Sequence, residues 1–295
     1  MKNGKKKYLI ALEEKRSIVA LAAGILVFFC TLASVIYMAE DYLRTNVQPL
    51  HFFTVWSNLL SAVAAAFMIP YAVEGIRKKR FVLPRWVVLF QYACTTCVAI
   101  TMVSALFIIL PMQGYVALEG ANFWLHIITP ALTVVLFQCV ETGISFTIRE
   151  SLLVMIPYWI YMAVYFVMVV VIGEKRGGWP DFYMTTAFWP GWVSILLMLA
   201  VGFIVSLVLL IVQNKRAAQS WKRIAGAWSE NPEPAQLLVE AFGLGRYIGA
   251  RGAFNDLTVP MDIFMVMEKR YGTPADKLVK AYVKGALDAI KEKTK

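Results

Sequence analysis

Two side chains set in apolar sequence, Thr54 and His126, are the ones best suited to carry chemistry. A threonine hydroxyl is a weak nucleophile at neutral pH unless a base takes its proton during attack, and imidazole has the ordinary pKa for that task. Thr54 starts a stripe with Ser57, Asn58 and Ser61 at i, i+3, i+4 and i+7, which places all four on one helix face. His126, Thr129 and Thr133 repeat the spacing with Pro130 on the same face, and Gln91 and Thr95 lie four apart. Ser57 or Asn58 would offer a donor to a developing oxyanion. Asp181 is a carboxylate that could orient the imidazole, although no spacing ties it to His126. Such chemistry requires no cofactor, and no metal-ligand pattern is present. The same stripes serve equally well as hydrogen-bonding contacts between membrane helices, and His126 equally well as a structural, proton-relaying or ligand-binding group.

The elements that must position these residues follow from composition. The 295 residues are 59% hydrophobic and 16% charged, with a mean hydropathy of +0.63, which is more apolar surface than a soluble core of this length can hide. Disordered, collagen-like and disulfide-scaffold classes are thereby excluded. Cys30, Cys94, Cys97 and Cys139 all lie in apolar runs. The C-x-x-C at 94–97 has no second pair or clustered histidines and reads as packing. Six runs are each long enough, at about 20 residues, to span hydrocarbon as helices. They are residues 18–38, 52–73, 86–110, 123–140, 152–172 and 192–212, the fourth being the shortest. The expected fold is therefore an all-α polytopic bundle of six transmembrane helices over 1–213.

Lysines and arginines in alternate segments between the runs number twelve on the N-terminal side against three on the other. Both termini are accordingly expected in the cytoplasm of a bacterial cell membrane. The net charge of +10 thus reads as topology, not as a nucleic-acid surface. Lys5, Lys6 and Lys7 ahead of an apolar run resemble a secretory signal, but the run exceeds a normal signal core and is taken as the first span. Trp86, Trp124, Trp179, Trp189 and Trp192 fall near span boundaries, as interfacial aromatics should. His51, also at a boundary, is expected to be solvated, and the methionine-rich, aromatic fifth span to face lipid.

Beyond residue 213 the character changes, with 14 basic and 9 acidic residues in 82. Residues 214–295 read as a basic, helical cytoplasmic appendage that could recruit a protein partner. In its last helix Thr273 is the expected N-cap, Pro274 the first helical residue and Asp276 the acidic third. Leu278, Val279, Tyr282, Val283, Ala286, Leu287 and Ile290 form one face, opposite Lys277, Lys280, Lys284, Asp288 and Lys291. Segments 237–242 and 263–267 offer it something to pack against. The glycines of 243–249 are misplaced for a dinucleotide loop and read as turn chemistry. Lys215, Arg216, Lys222 and Arg223 with Trp221 and Trp228 suit a phospholipid surface.

Several motifs together resemble a known family. Phe53-Thr54-Val55-Trp56-Ser57-Asn58 resembles the F-T-x-x-S-N start of the second span in the bacterial relatives of the androgen-induced and androgen-dependent membrane proteins. Leu125-His126-Ile127-Ile128-Thr129-Pro130 is similar to their L-H-x-x-x-P signature, and Pro157, Tyr161, Tyr165 and Gly178-Trp179-Pro180 to a degraded proline, tyrosine and G-W-Y-P-Y-P-F pattern. The resemblance covers about residues 18–212. It implies a multipass threonine hydrolase of fatty acid esters of hydroxy fatty acids, with Thr54 as nucleophile, His126 as base, membrane lipids around it and a lipid-like ester as substrate. The competing expectation is a non-enzymatic membrane protein whose polar faces bind or transport a small molecule.

Overall fold

The computed structural model describes residues 3–45, 48–78, 83–140, 146–226, 238, 241–245, 264–265, 268 and 272–291. Six helices are long and apolar enough to cross a membrane: Lys15–Glu40, Phe53–Arg77, Trp86–Met112, Ala121–Gln138, Ile148–Ile172 and Gly191–Arg216. All six expected runs are present, with the fourth again the shortest at 18 residues. No strand occurs among the described residues.

The distribution of surface explains why this is an integral membrane protein. Phe107, Ile160, Phe29 and Ile204 are among the most exposed large apolar side chains of the spans, whereas Thr54, Ser57, Asn58, Gln91, Thr95 and His126 are buried. In hydrocarbon there is no water to satisfy a polar group, so apolar side chains face out and polar ones turn into the bundle. The hydrophobic effect does little to join helices there, and packing and interhelical hydrogen bonds take over. Gln91 Nε2 donates to the Ala64 carbonyl at 2.8 Å, tying the third span to the second. Tyr158 Oη donates to the Met198 carbonyl at 2.8 Å, tying the fifth to the sixth. Ser151 and Ser206 hydroxyls meet at 2.7 Å beside Tyr92 on the third span.

The first span packs chiefly on the second, and the third is central, touching the second, fourth, fifth and sixth. Among the described residues two apolar clusters fill the interior. One gathers Met68, Val88, Tyr92, Phe137, Phe146 and Leu209, and the other gathers Phe53, Ile100, Met155, Tyr158, Met162 and Tyr165. The second cluster corrects the expectation for the fifth span. Trp159, Ile160, Val164 and Val167 are exposed, but Tyr158, Tyr161, Met162 and Tyr165 recur three and four apart on a buried face. Tyrosine hydroxyls need partners in hydrocarbon, which draws that face inward.

Toward the C-terminus the helix of the sixth span continues to Gly226, and a separate helix runs Ala275–Lys291. Leu278, Tyr282, Ala286 and Ala289 form its buried face, with the Tyr282 ring 5.9 Å from that of Phe264. The expected cap is not made: Thr273 Oγ1 is buried without a hydrogen-bond partner, and the helix begins only after Pro274. Pro274 instead accepts at its carbonyl from the Lys277 and Leu278 amides. Trp228, Gly249, half of 237–242 and residues 263, 266 and 267 lie outside the described residues.

Candidate active site

Thr54 stands in the first turn of the second span, directly after a short turn at Pro49–His51. Amides in a first helical turn have no partner within the helix. The Phe53 amide finds one across the fold, donating to the Tyr183 hydroxyl at 3.0 Å. His126 lies in a π-helical turn, Trp124–Ile128, that interrupts the fourth span. Such turns carry an extra residue, re-aim the side chains around them and are common at functional sites. The outcome is a buried contact of 3.0 Å between Thr54 Oγ1 and His126 Nε2. Each residue is 7% exposed.

Asn58 holds this pair together from below. Its Nδ2 donates to the Thr54 carbonyl at 2.7 Å and to the Leu125 carbonyl, next to His126, at 2.9 Å. Its Oδ1 is buried without a hydrogen-bond partner. Ser57 Oγ lies 3.0 Å from the Thr54 carbonyl and 2.9 Å from Thr101 Oγ1 on the third span. Both hydrogens of the Asn58 amide are thus engaged by backbone carbonyls, and Ser57 is engaged beneath Thr54. The polar stripe works here as scaffolding for the pair.

The remaining expected residues are distributed more widely. Thr129 Oγ1 is buried without a hydrogen-bond partner, while its carbonyl accepts from Thr133 at 2.8 Å. Gln91 bonds at Ala64, which is about 15 Å along the second span from Thr54. Thr95 donates to the Gln91 carbonyl at 2.7 Å, so that pair belongs to the other end of the bundle. Asp181 is occupied elsewhere. Its Oδ1 accepts from Tyr165 Oη, Thr185 N and Thr185 Oγ1 at 2.8, 2.8 and 2.9 Å, and its Oδ2 from Thr186 N and Oγ1 at 2.7 and 2.6 Å. Partial burial by itself would raise the carboxyl's pKa, but these donors from Thr186, Thr185 and Tyr165 outweigh it and hold it at about 2.

Asp181 thereby folds the loop between the fifth and sixth spans over a cavity of about 200 Å³. Thr54 and Thr101 open onto this cavity. Its walls include Ile100, Tyr158, Tyr161 and Met198, and Tyr183 and Phe188 cover it from the loop. The imidazole stands behind Thr54 and does not form part of the wall. His51 is less solvated than expected, because its ring stacks on Trp179 at 4.5 Å and its carbonyl accepts from Tyr161 Oη at 2.7 Å. Partial burial lowers its pKa.

No family model, curated protein or solved structure matches this chain. What the site can do therefore rests on its own chemistry. A hydroxyl hydrogen-bonded to an imidazole, at the wall of an apolar cavity, has the chemistry with which a nucleophile and base could act. Among the described residues no group of three or more His, Cys, Asp or Glu could hold a metal ion. Cys94 and Cys97 are buried free thiols, with Cys94 Sγ directed to the Leu60 carbonyl at 3.3 Å.

Thr101 and Tyr183 were not singled out by sequence pattern. Thr101 lies six residues beyond Thr95, off the helical repeat of that pair. Tyr183 is in a loop, where no periodicity applies, and meets Phe53 across 130 residues.

Proposed function

We propose that this protein is a membrane-embedded hydrolase of lipid-like esters, with Thr54 as nucleophile and His126 as general base. The observation that carries the reading is the buried 3.0 Å contact between Thr54 Oγ1 and His126 Nε2 at the wall of an apolar cavity. The resemblance of the 53–58 and 125–130 motifs to the androgen-induced family supports the same two roles. The mostly apolar wall suits an alkyl chain, and Thr54 near the end of its span suits a scissile ester close to the headgroup boundary.

In this mechanism His126 Nε2 accepts the Thr54 proton as Oγ1 attacks the ester carbonyl carbon, and the carbonyl π pair moves to its oxygen. Collapse of the tetrahedral intermediate breaks the bond to the leaving alcohol, which takes the proton from His126. A water, deprotonated by the same imidazole, then cleaves the acyl-threonine and returns the free hydroxyl. Asn58 keeps Thr54 and the backbone at Leu125 in fixed relation throughout. With the N-terminus in the cytoplasm, as the basic residues favour, the site faces the outer leaflet.

The test is covalent capture. Purified protein treated with a lipophilic fluorophosphonate should label at Thr54, with labelling abolished by Thr54→Ala and reduced by His126→Ala. Labelling that ignores both substitutions, or none at all, would overturn the reading. A panel of lipid esters compared between wild type and Thr54→Ala then defines the acyl group.

A further inference from the structure

The loop that covers the cavity carries a hydroxyl the mechanism above leaves unused. Tyr183 lines the same cavity as Thr54, and its phenolic oxygen lies 3.0 Å from the backbone nitrogen of Phe53, the residue before the nucleophile. Because Phe53 N–H donates to that oxygen, the phenol's own proton is left to point elsewhere. The Thr54 hydroxyl and Tyr161 are its polar side-chain neighbours. The phenol ring is braced by Tyr165 and Phe182 at 5.2 and 4.8 Å. By contrast, the Asn58 amide hydrogens are engaged by backbone carbonyls.

We propose that the Tyr183 hydroxyl is the donor to the oxyanion formed when Thr54 attacks its ester. The inference rests on the hydrolase reading. In the resting state the phenol and Thr54 line the same cavity, and the phenolic oxygen is anchored one residue away, at the Phe53 amide. Once Oγ1 has bonded to the substrate carbon, the former carbonyl oxygen is attached to that same carbon, one bond angle away, and carries the negative charge. The O–H then needs only a small rotation to donate to it, and tyrosine hydroxyls held in place are effective oxyanion donors. Phe53 N–H, donating to the phenolic oxygen, polarises the O–H and strengthens it as a donor. Burial raises the phenol's pKa, so it stays protonated at neutral pH.

The experiment uses the full-length protein in detergent micelles, with p-nitrophenyl decanoate as substrate. Two inhibitors are compared: an alkyl trifluoromethyl ketone, which forms an anionic hemiketal with Thr54, and an ether of equal length, which stays in the ground state. Tyr183→Phe is expected to lower kcat on the order of 10²-fold with KM little changed. Affinity for the ketone should fall by a similar factor and affinity for the ether should hold. An unchanged kcat, or ketone and ether affinities that fall together, overturns the assignment. If Thr54→Ala is inactive while Tyr183→Phe runs at full rate, only this inference falls; if Thr54→Ala still hydrolyses the ester, the hydrolase reading falls and takes it along. Should Tyr183→Phe not fold, difluorotyrosine placed at 183 keeps the hydroxyl and makes it more acidic. The alkaline loss of kcat should then begin at lower pH, since a phenolate cannot donate, and an unmoved profile overturns the proposal. Tyr158, Tyr161 and Tyr165 from the fifth span, and Asp181 through Tyr165, are the other titratable groups around it, and the replacement leaves them as they are.

Discussion

Thr54 Oγ1 and His126 Nε2 lie 3.0 Å apart although 72 residues separate them in the chain. They come from different membrane helices, and each is set by a local device: Thr54 by the first turn of its helix, His126 by a π turn. The contact is buried, so its geometry is held by neighbours and not by solvent.

The pair should respond to substitution as a unit. Thr54→Ser keeps a hydroxyl and should retain measurable turnover, whereas Thr54→Ala should have none above background. His126→Ala should lower kcat about 10²- to 10⁴-fold, the range ascribed to a positioned general base. Steady-state ester hydrolysis checks all three, and equal rates for Thr54→Ala and Thr54→Ser would contradict the assignment.

Asn58 should matter more to rate than to stability. Asn58→Leu removes one hydrogen bond within its own helix and one between helices, the latter contributing about 0.6 kcal/mol in a membrane bundle. The Tm in detergent should therefore fall by only a few degrees. Because Asn58 spans from Thr54 to Leu125, kcat should fall by far more, which parallel melting and turnover measurements will read.

The covering loop should be insensitive to pH until strongly acidic conditions. Asp181 has its folded pKa at about 2 against an ordinary 3.8. Its hydrogen bonds therefore contribute stability that is complete above the ordinary value and is lost as pH falls through the folded one. Amide exchange of Thr185 and Thr186, corrected for its intrinsic pH dependence, should be flat near neutrality and rise only below about pH 4. Asp181→Asn should raise exchange at every pH and remove the acid transition.

Gly202 marks a close approach of the sixth span to the fifth. A Cβ there would stand 2.5 Å from Tyr158 Cε1, and that ring is 2% exposed and held by its bond to Met198. The ring cannot swing away freely, so Gly202→Ala should destabilise the bundle by about 1–3 kcal/mol. Tyr158 also walls the cavity, so KM for long-chain esters should rise along with the fall in Tm.

How much of this was legible in the chain depends on the range of the forces involved. The six spans were, because hydrophobicity integrated over about 20 residues is a local property that bilayer thickness converts directly into a helix. The polar stripe from Thr54 to Ser61 was, because helical spacing places those residues on one face whatever the helix packs against. The buried side of the fifth span was hidden, since aromatic and methionine residues suit both lipid and a packed interior. Only their tyrosine hydroxyls, each needing a partner, separate the two.

The tertiary structure alone decided which partner each polar group meets. Ser57 and Asn58 could have met a substrate, but their bonds to Thr101, Thr54 and Leu125 make them a frame. Asp181 could have oriented the imidazole, and the turn it nucleates with Thr185 and Thr186 commits it to the loop. Tyr183 reached Phe53 across 130 residues with no pattern to announce it. Residue spacing determines which side chains share a face, because the helix repeat is fixed by the backbone. Which faces then meet is set by crossing angles and packing among six helices, a cooperative outcome that no single segment contains.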